Sequence, residues 1–167
     1  MSIILNTDFV GKYAVSQSCY DGLDTYIEKY EKDFLVRLMG AELYLLFIAD
    51  LDAATPQVPQ TTRFLDLYNS FDIDESNCIR SSEGLRQMIV QFVYFYYSRD
   101  INFEPTDSGM MRTVSEVSSI LPYTGFNLVE SYNEGITNYK EIQWFIRDNS
   151  DVYPEENTQP KEYTSGI

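Results

Sequence analysis

Apolar residues recur along this chain at steps of three and four, the spacing that places them on one face of an α-helix. Leu23, Ile27, Tyr30, Phe34 and Leu38 form the first such run, with Glu28, Lys29, Glu31 and Lys32 between them. They predict a helix over about 20–39. Gly40 follows, a residue type that often closes a last turn in the left-handed conformation, and a second, short helix is predicted over 41–51. Pro56 and Pro59 bar helix from the loop 52–60. Phe64, Leu67, Tyr68 and Phe71 predict a third helix over 61–71. A polar turn then leads to Ser81 or Ser82, either able to cap a fourth helix with Glu83 in its first turn. Its core face reads Leu85, Met88, Ile89, Phe92, Val93 and Tyr96. A last helix, about 127–148, carries Val129, Tyr132, Ile136, Tyr139, Ile142 and Ile146, and Asn127 with Glu130 has the form of a capping box.

Between 100 and 125 the period is lost. Pro105, Gly109, Pro122 and Gly125, among many Ser and Thr, predict a β-hairpin or projecting loop, although Met110, Val114, Val117 and Leu121 would also suit a short helix. The expected fold class is mainly α: a bundle of about five helices with one irregular or β-hairpin insertion and extended terminal arms. The expected boundaries are an N-terminal arm over 1–19, a helical domain over 20–148 and an acidic tail over 149–167. Both terminal segments are expected to be ordered by contacts with other chains.

Two stretches break the one-faced pattern. From Leu43 to Ala49 there is no polar residue, and Val90, Tyr94, Phe95 and Tyr97 crowd the back of the fourth helix. A small domain normally covers one side of a surface helix. A helix apolar on two sides is therefore either interior or shared with a neighbouring subunit. The shared reading makes Leu43, Leu46, Phe47, Tyr94, Phe95, Tyr97 and Trp144 candidates for a subunit interface.

Charge narrows the function classes. Twelve Lys and Arg face 26 Asp and Glu, a net charge of −14. Such a surface repels nucleic acid, which argues against binding through a basic patch, whereas an acidic wall that DNA slides past is consistent with it. The lack of His removes Ser-His-Asp and Cys-His catalysis and the usual zinc sites. Cys19 and Cys78 read as reduced thiols of a cytosolic product, too few for a disulfide framework. The first fifteen residues lack the basic and apolar regions of a signal peptide, and no apolar run approaches a membrane span.

One stretch, FDIDESNCIRSSE, resembles a calcium loop. Asp72, Asp74, Ser76 and Glu83 fall at positions 1, 3, 5 and 12 of such a loop. Asn77 stands where Gly is usual, and Arg80 puts a cation near the would-be ion. The competing reading is an acidic turn between helices. If the loop binds calcium, the protein is an EF-hand-like interaction module. Paired carboxylates such as Glu130 and Glu134 read as a solvated helix face. The Tyr-rich run 93–100 reads as core or interface rather than a stacking platform.

The order of segments resembles the head-to-tail connector (neck-ring or adaptor) proteins of tailed bacteriophages, in the version found in phages of Bacteroidota, including crAss-like phages. The stretches that carry the resemblance are YIEKYEKDFLVRLMGAELYLLFIADL, SEGLRQMIVQFVYFYYSRD, PTDSGMMRTVSE and SYNEGITNYKEIQWFI. The resemblance implies a virion protein, assembled in the host cytoplasm. It implies a homo-oligomeric ring of about twelve copies between the portal protein and other neck or tail proteins. Such a ring encloses DNA without reading its sequence. It implies no enzyme activity, no cofactor and no membrane. The long acidic tail after Asp148 is a departure from that pattern.

Overall fold

The computed structural model describes residues 2–15, 22–54, 56–75, 78–106, 109–112 and 124–155. The chain is mainly α-helical, with helices α1 (Leu23–Asp50), α2 (Thr62–Tyr68), α3 (Gly84–Asn102) and α4 (Thr124–Asp148). Strands β1 (Phe71–Glu75) and β2 (Cys78–Ser82) form one antiparallel hairpin, and β3 (Phe103–Thr106) and β4 (Gly109–Arg112) form another. The second hairpin falls inside the insertion that the sequence left irregular. Residues 113–123, with the alternative helical spacing, lie outside the described part, as do Cys19 and the tail from 156 on.

Gly40 divides α1 in two. Its backbone sits at φ 75°, ψ 168°, which breaks the helical path between the two predicted segments. The far end of α1 is fixed by its own last residue. One oxygen of Asp50 accepts from the backbone N–H of Gln60 and Thr61 and from the Thr61 hydroxyl, at 2.9, 3.0 and 3.0 Å. This ties the end of α1 to the start of α2.

Helix α3 is the centre of the molecule, with every residue from Met88 to Val93 buried. Phe92 stacks on Phe34 of α1 at 3.8 Å between ring centroids, and Tyr96 stacks on Tyr30 at 4.1 Å. On the other side Phe92 meets Tyr132 of α4 edge-on at 5.7 Å. Gly135 permits that approach, because a Cβ there would lie 3.0 Å from the Phe92 ring.

Four sequence expectations change. The third helix ends at Tyr68, and the expected polar turn after it is the β1–β2 hairpin. Its inner face presents Phe71, 4.6 Å from Phe145 between ring centroids, whereas Asp72 and Ile79 are exposed. The alternation Phe71–Asp72–Ile73–Asp74 is a strand period of two, masked by the helical spacing of Tyr68 and Phe71. At the base of the hairpin Gly84 has φ +85° and lies so close to the Asn69 backbone that no Cβ fits. Helix α4 begins three residues before Asn127, which is therefore not its cap, and Val129 is 57% exposed, off the buried stripe.

The largest change concerns the termini. Ile3 and Ile4 are fully buried and Phe9 nearly so. The buried Glu31 accepts hydrogen bonds from the Ser2 hydroxyl and from the Ile3 N–H, the latter at 3.2 Å. Asp8 pairs with Arg86 of α3. Residues 2–15 thus belong to the core of the domain rather than to an arm awaiting a partner. The start of the tail is also built in. Tyr153 is 1% exposed, and its hydroxyl donates to the Arg63 carbonyl at 2.5 Å.

Candidate interaction surface

The run 43–49 resolves into two faces. Leu43 and Phe47, four residues apart, are fully buried, with Phe47 edge-on to Phe64 of α2 at 5.4 Å. Leu45, Leu46 and Ile48 point away from them and are 66%, 43% and 40% exposed. Beside them opens a cleft of about 480 Å³ lined by Leu46, Ala49, Asp50, Thr61, Arg63 and Phe64. These three exposed aliphatic side chains on one helix make this end of α1 the candidate contact surface.

Arg63 forms one wall of this cleft. Its guanidinium lies 4.7 Å from the Phe64 ring centroid and 5.3 Å from that of Tyr153, and it pairs with Glu155 at 2.9 Å. Burial pushes the Tyr153 hydroxyl well above the usual tyrosine range.

The interface candidates divide accordingly. Leu46 and Trp144 are exposed, and Tyr94 and Phe95 are partly buried. Leu43, Phe47 and Tyr97 are corrected: all three lie in the core of the subunit, Tyr97 edge-on to Tyr26 at 5.3 Å. Leu45 and Ile48 were missed. In a run with no polar residue the spacing alone does not set the inner face, which the Phe47–Phe64 contact fixes.

The candidate calcium residues are not gathered around one point. Asp72 is exposed on β1, opposite Ser81, while Glu83 turns toward α3 and α4. Its Oε2 accepts from Gln91 Nε2 at 2.6 Å and from Asn138 Nδ2 at 3.3 Å. The side chain of Asp74 and the whole of Ser76 lie outside the described part. Among the described residues no group of three or more His, Cys, Asp or Glu side chains could hold a metal ion. No described helix is long and apolar enough to cross a membrane.

The Glu83 bonds belong to a polar network that holds the N-terminal segment on α3 and α4. The fully buried Gln91 accepts from Asn138 Nδ2 at 2.8 Å and donates to the Tyr13 hydroxyl at 3.2 Å. Tyr13 donates in turn to Glu134, which also takes a hydrogen bond from Lys12. Burial and then the bond to Glu134 raise the Tyr13 hydroxyl far above its usual range. Burial alone would raise Glu134, but the hydrogen bonds from Lys12 and Tyr13 outweigh it, and the carboxyl lies below its ordinary value. Every member of the network has a partner, so it fixes the position of the segment instead of penalising it.

Comparison with protein-family models, with curated proteins and with solved structures finds no match.

Proposed function

We propose that the chain is a structural virion subunit, a head-to-tail connector that forms a ring in the phage neck between portal and tail. It extends the DNA channel and docks tail components, without catalysis. The observation that carries this reading is the exposed aliphatic strip Leu45, Leu46 and Ile48, on a helix whose opposite side is already packed. A second copy that covers it gives the helix the two-sided burial its sequence encodes. Obligate subunit contacts are apolar in this way, like a core cut in half. The order of helical segments and the net charge of −14 agree with an acidic ring that DNA passes without sticking.

The test compares Leu46→Glu with Lys32→Glu for ring formation on the portal, read by sedimentation and electron microscopy. A charge at Leu46 becomes buried and unpaired in the ring at a cost of several kcal/mol, so this variant should not assemble. Lys32 is exposed on the first segment of α1, and Lys32→Glu should assemble normally. Equal assembly by both variants would refute the proposal. In a second arm the purified chain should leave duplex DNA unshifted in a gel at low salt.

A further inference from the structure

A ring closed by rotation joins two different surfaces of the same chain, head to tail. The strip and cleft at the end of α1 are one such surface, and the structure offers a match for it elsewhere. Helix α4 exposes Lys140, Trp144 and Arg147, spaced four and three apart and therefore on one face. Trp144 is 48% exposed, and the Arg80 guanidinium lies 3.9 Å from its ring centroid. Arg80 is itself held by Glu141 at 2.8 Å and Asp148 at 3.5 Å. The indole is thus fixed on one side and open on the other, and a side chain already held in place loses little freedom on binding.

Charge complementarity selects the partner. Glu141 and Asp148 are engaged by Arg80, while Lys140 and Arg147 have no ion-pair partner among the described residues. In a chain with a net charge of −14, two uncommitted cations flanking one exposed Trp make a local exception. The rim of the cleft is mostly of the opposite sign, and the one cation among its lining residues, Arg63, is paired with Glu155. Glu42 is exposed one turn before Leu46, Asp50 lines the wall, and Asp66 is exposed one turn after Arg63. The last turn of α1 adds the negative end of its helix dipole.

We infer that Trp144 of one copy seats in the α1–α2 cleft of the next, with Lys140 and Arg147 meeting the acidic rim. This deepens the ring reading and rests on it. The indole covers Leu46, Ala49 and Phe64, and its N–H faces the carboxylate of Asp50. One Trp buries about 150–250 Å², against about 800 Å² per partner in a stable contact. Leu45, exposed and next to Ala49 around the helix, lies beside the cleft to widen the contact.

Cysteine cross-linking on the portal tests this. In full-length chains carrying Cys19→Ser and Cys78→Ser, Ala49→Cys is placed in one population and Lys140→Cys in a second, distinguished by mass tags. The expected result is a mixed 49–140 cross-link in about tenfold excess over either same-site link. It should fall about tenfold or more with Trp144→Ala, as for a hot-spot aromatic, and weaken at high salt. Circular dichroism shows whether that variant folds. A predominant 49–49 link would mean that the strips meet face to face and would overturn the inference. So would rings that form without a 49–140 link, or a 49–140 link indifferent to Trp144→Ala. These outcomes leave the ring proposal standing, because that proposal is tested separately by Leu46→Glu against Lys32→Glu.

Discussion

Helix α3 and the second half of α1 carry the same message in sequence, apolar residues on every side, and meet opposite fates. Around α3 the chain supplies a cover for each face. Phe34 and Tyr30 come from α1, Tyr132 comes from α4, and Tyr13 of the N-terminal segment meets Tyr94 edge-on at 5.6 Å. Around 41–50 it supplies only one, with Phe64 over Phe47 and nothing described over Leu45. All-round apolarity therefore does not by itself identify an interface. What decides is how many other elements reach the helix, and here the elements run out at the edge of the bundle.

The sharpest way to break this contrast is a charge at the centre of α3. Phe92→Asp would place a carboxylate between the Phe34 and Tyr132 rings with no partner. It should abolish folding of the isolated chain, seen as loss of cooperative melting. A native-like melt would show that α3 is less enclosed than described. Next comes a pair on adjacent positions of α1. Phe47→Ala should cost the isolated chain about 3–5 kcal/mol, and Leu46→Ala within about 0.5 kcal/mol, by denaturant titration. The order should invert for ring assembly, where the exposed residue matters and the buried one acts only through stability. Tyr153→Phe should cost about 1 kcal/mol, because it leaves the Arg63 carbonyl without its donor. No change would mean that the start of the tail is not part of the cover on α2.

The smallest effect concerns the cover on α3, which is titratable. The folded value of Glu134 lies below its unfolded one, so its contribution to stability is present above the ordinary carboxylate range. That contribution is lost as pH falls through the folded value. Glu31 works the other way: burial raises its carboxyl against the hydrogen bonds from Ser2 and Ile3. Its proton is bound more tightly in the fold, so its contribution favours folding at acid pH and is lost as pH rises through the folded value. Glu134→Gln should thus shrink the acid loss of melting temperature, and Glu31→Gln should enlarge it. Curves unchanged from wild type in both variants would mean that neither group holds the N-terminal segment.

The helical stripes were legible because their period is set by the chain itself. Leu23 to Leu38 and Leu85 to Tyr96 needed no partner to be read, and Gly40 announced the break in α1. The β1–β2 hairpin was hidden because its short alternation follows directly on a helical stripe that includes Phe71. The N-terminal segment was misjudged for a different reason. Ile3, Ile4 and Phe9 are too few to show a period, and their burial depends on α1, α2 and α3 arriving from elsewhere in the chain. The candidate surface was half legible. Leu46 and Trp144 were named, but inner and outer residues of 43–49 separate only when the phase of the helix is fixed by Phe64.

The contacts of residues 2–13 also order events in time. Ser2 meets Glu31 and Gln57, Ile3 meets Tyr68, Asp8 meets Arg86, and Lys12 meets Glu134. A ribosome adds Lys12 to the chain 122 residues before its partner Glu134. At about 5–20 residues per second that is a wait of roughly 6–24 s. Until α3 emerges Ile3, Ile4 and Phe9 have no complete site to enter, and the contacts of Lys12 and Tyr13 close only once α4 follows. Helix α1, by contrast, carries its stripe within one stretch and can begin to form while the rest is still being made. Residues 2–13 therefore settle only after helices translated later than they are, and a chain interrupted before α4 leaves Lys12 and Tyr13 without Glu134.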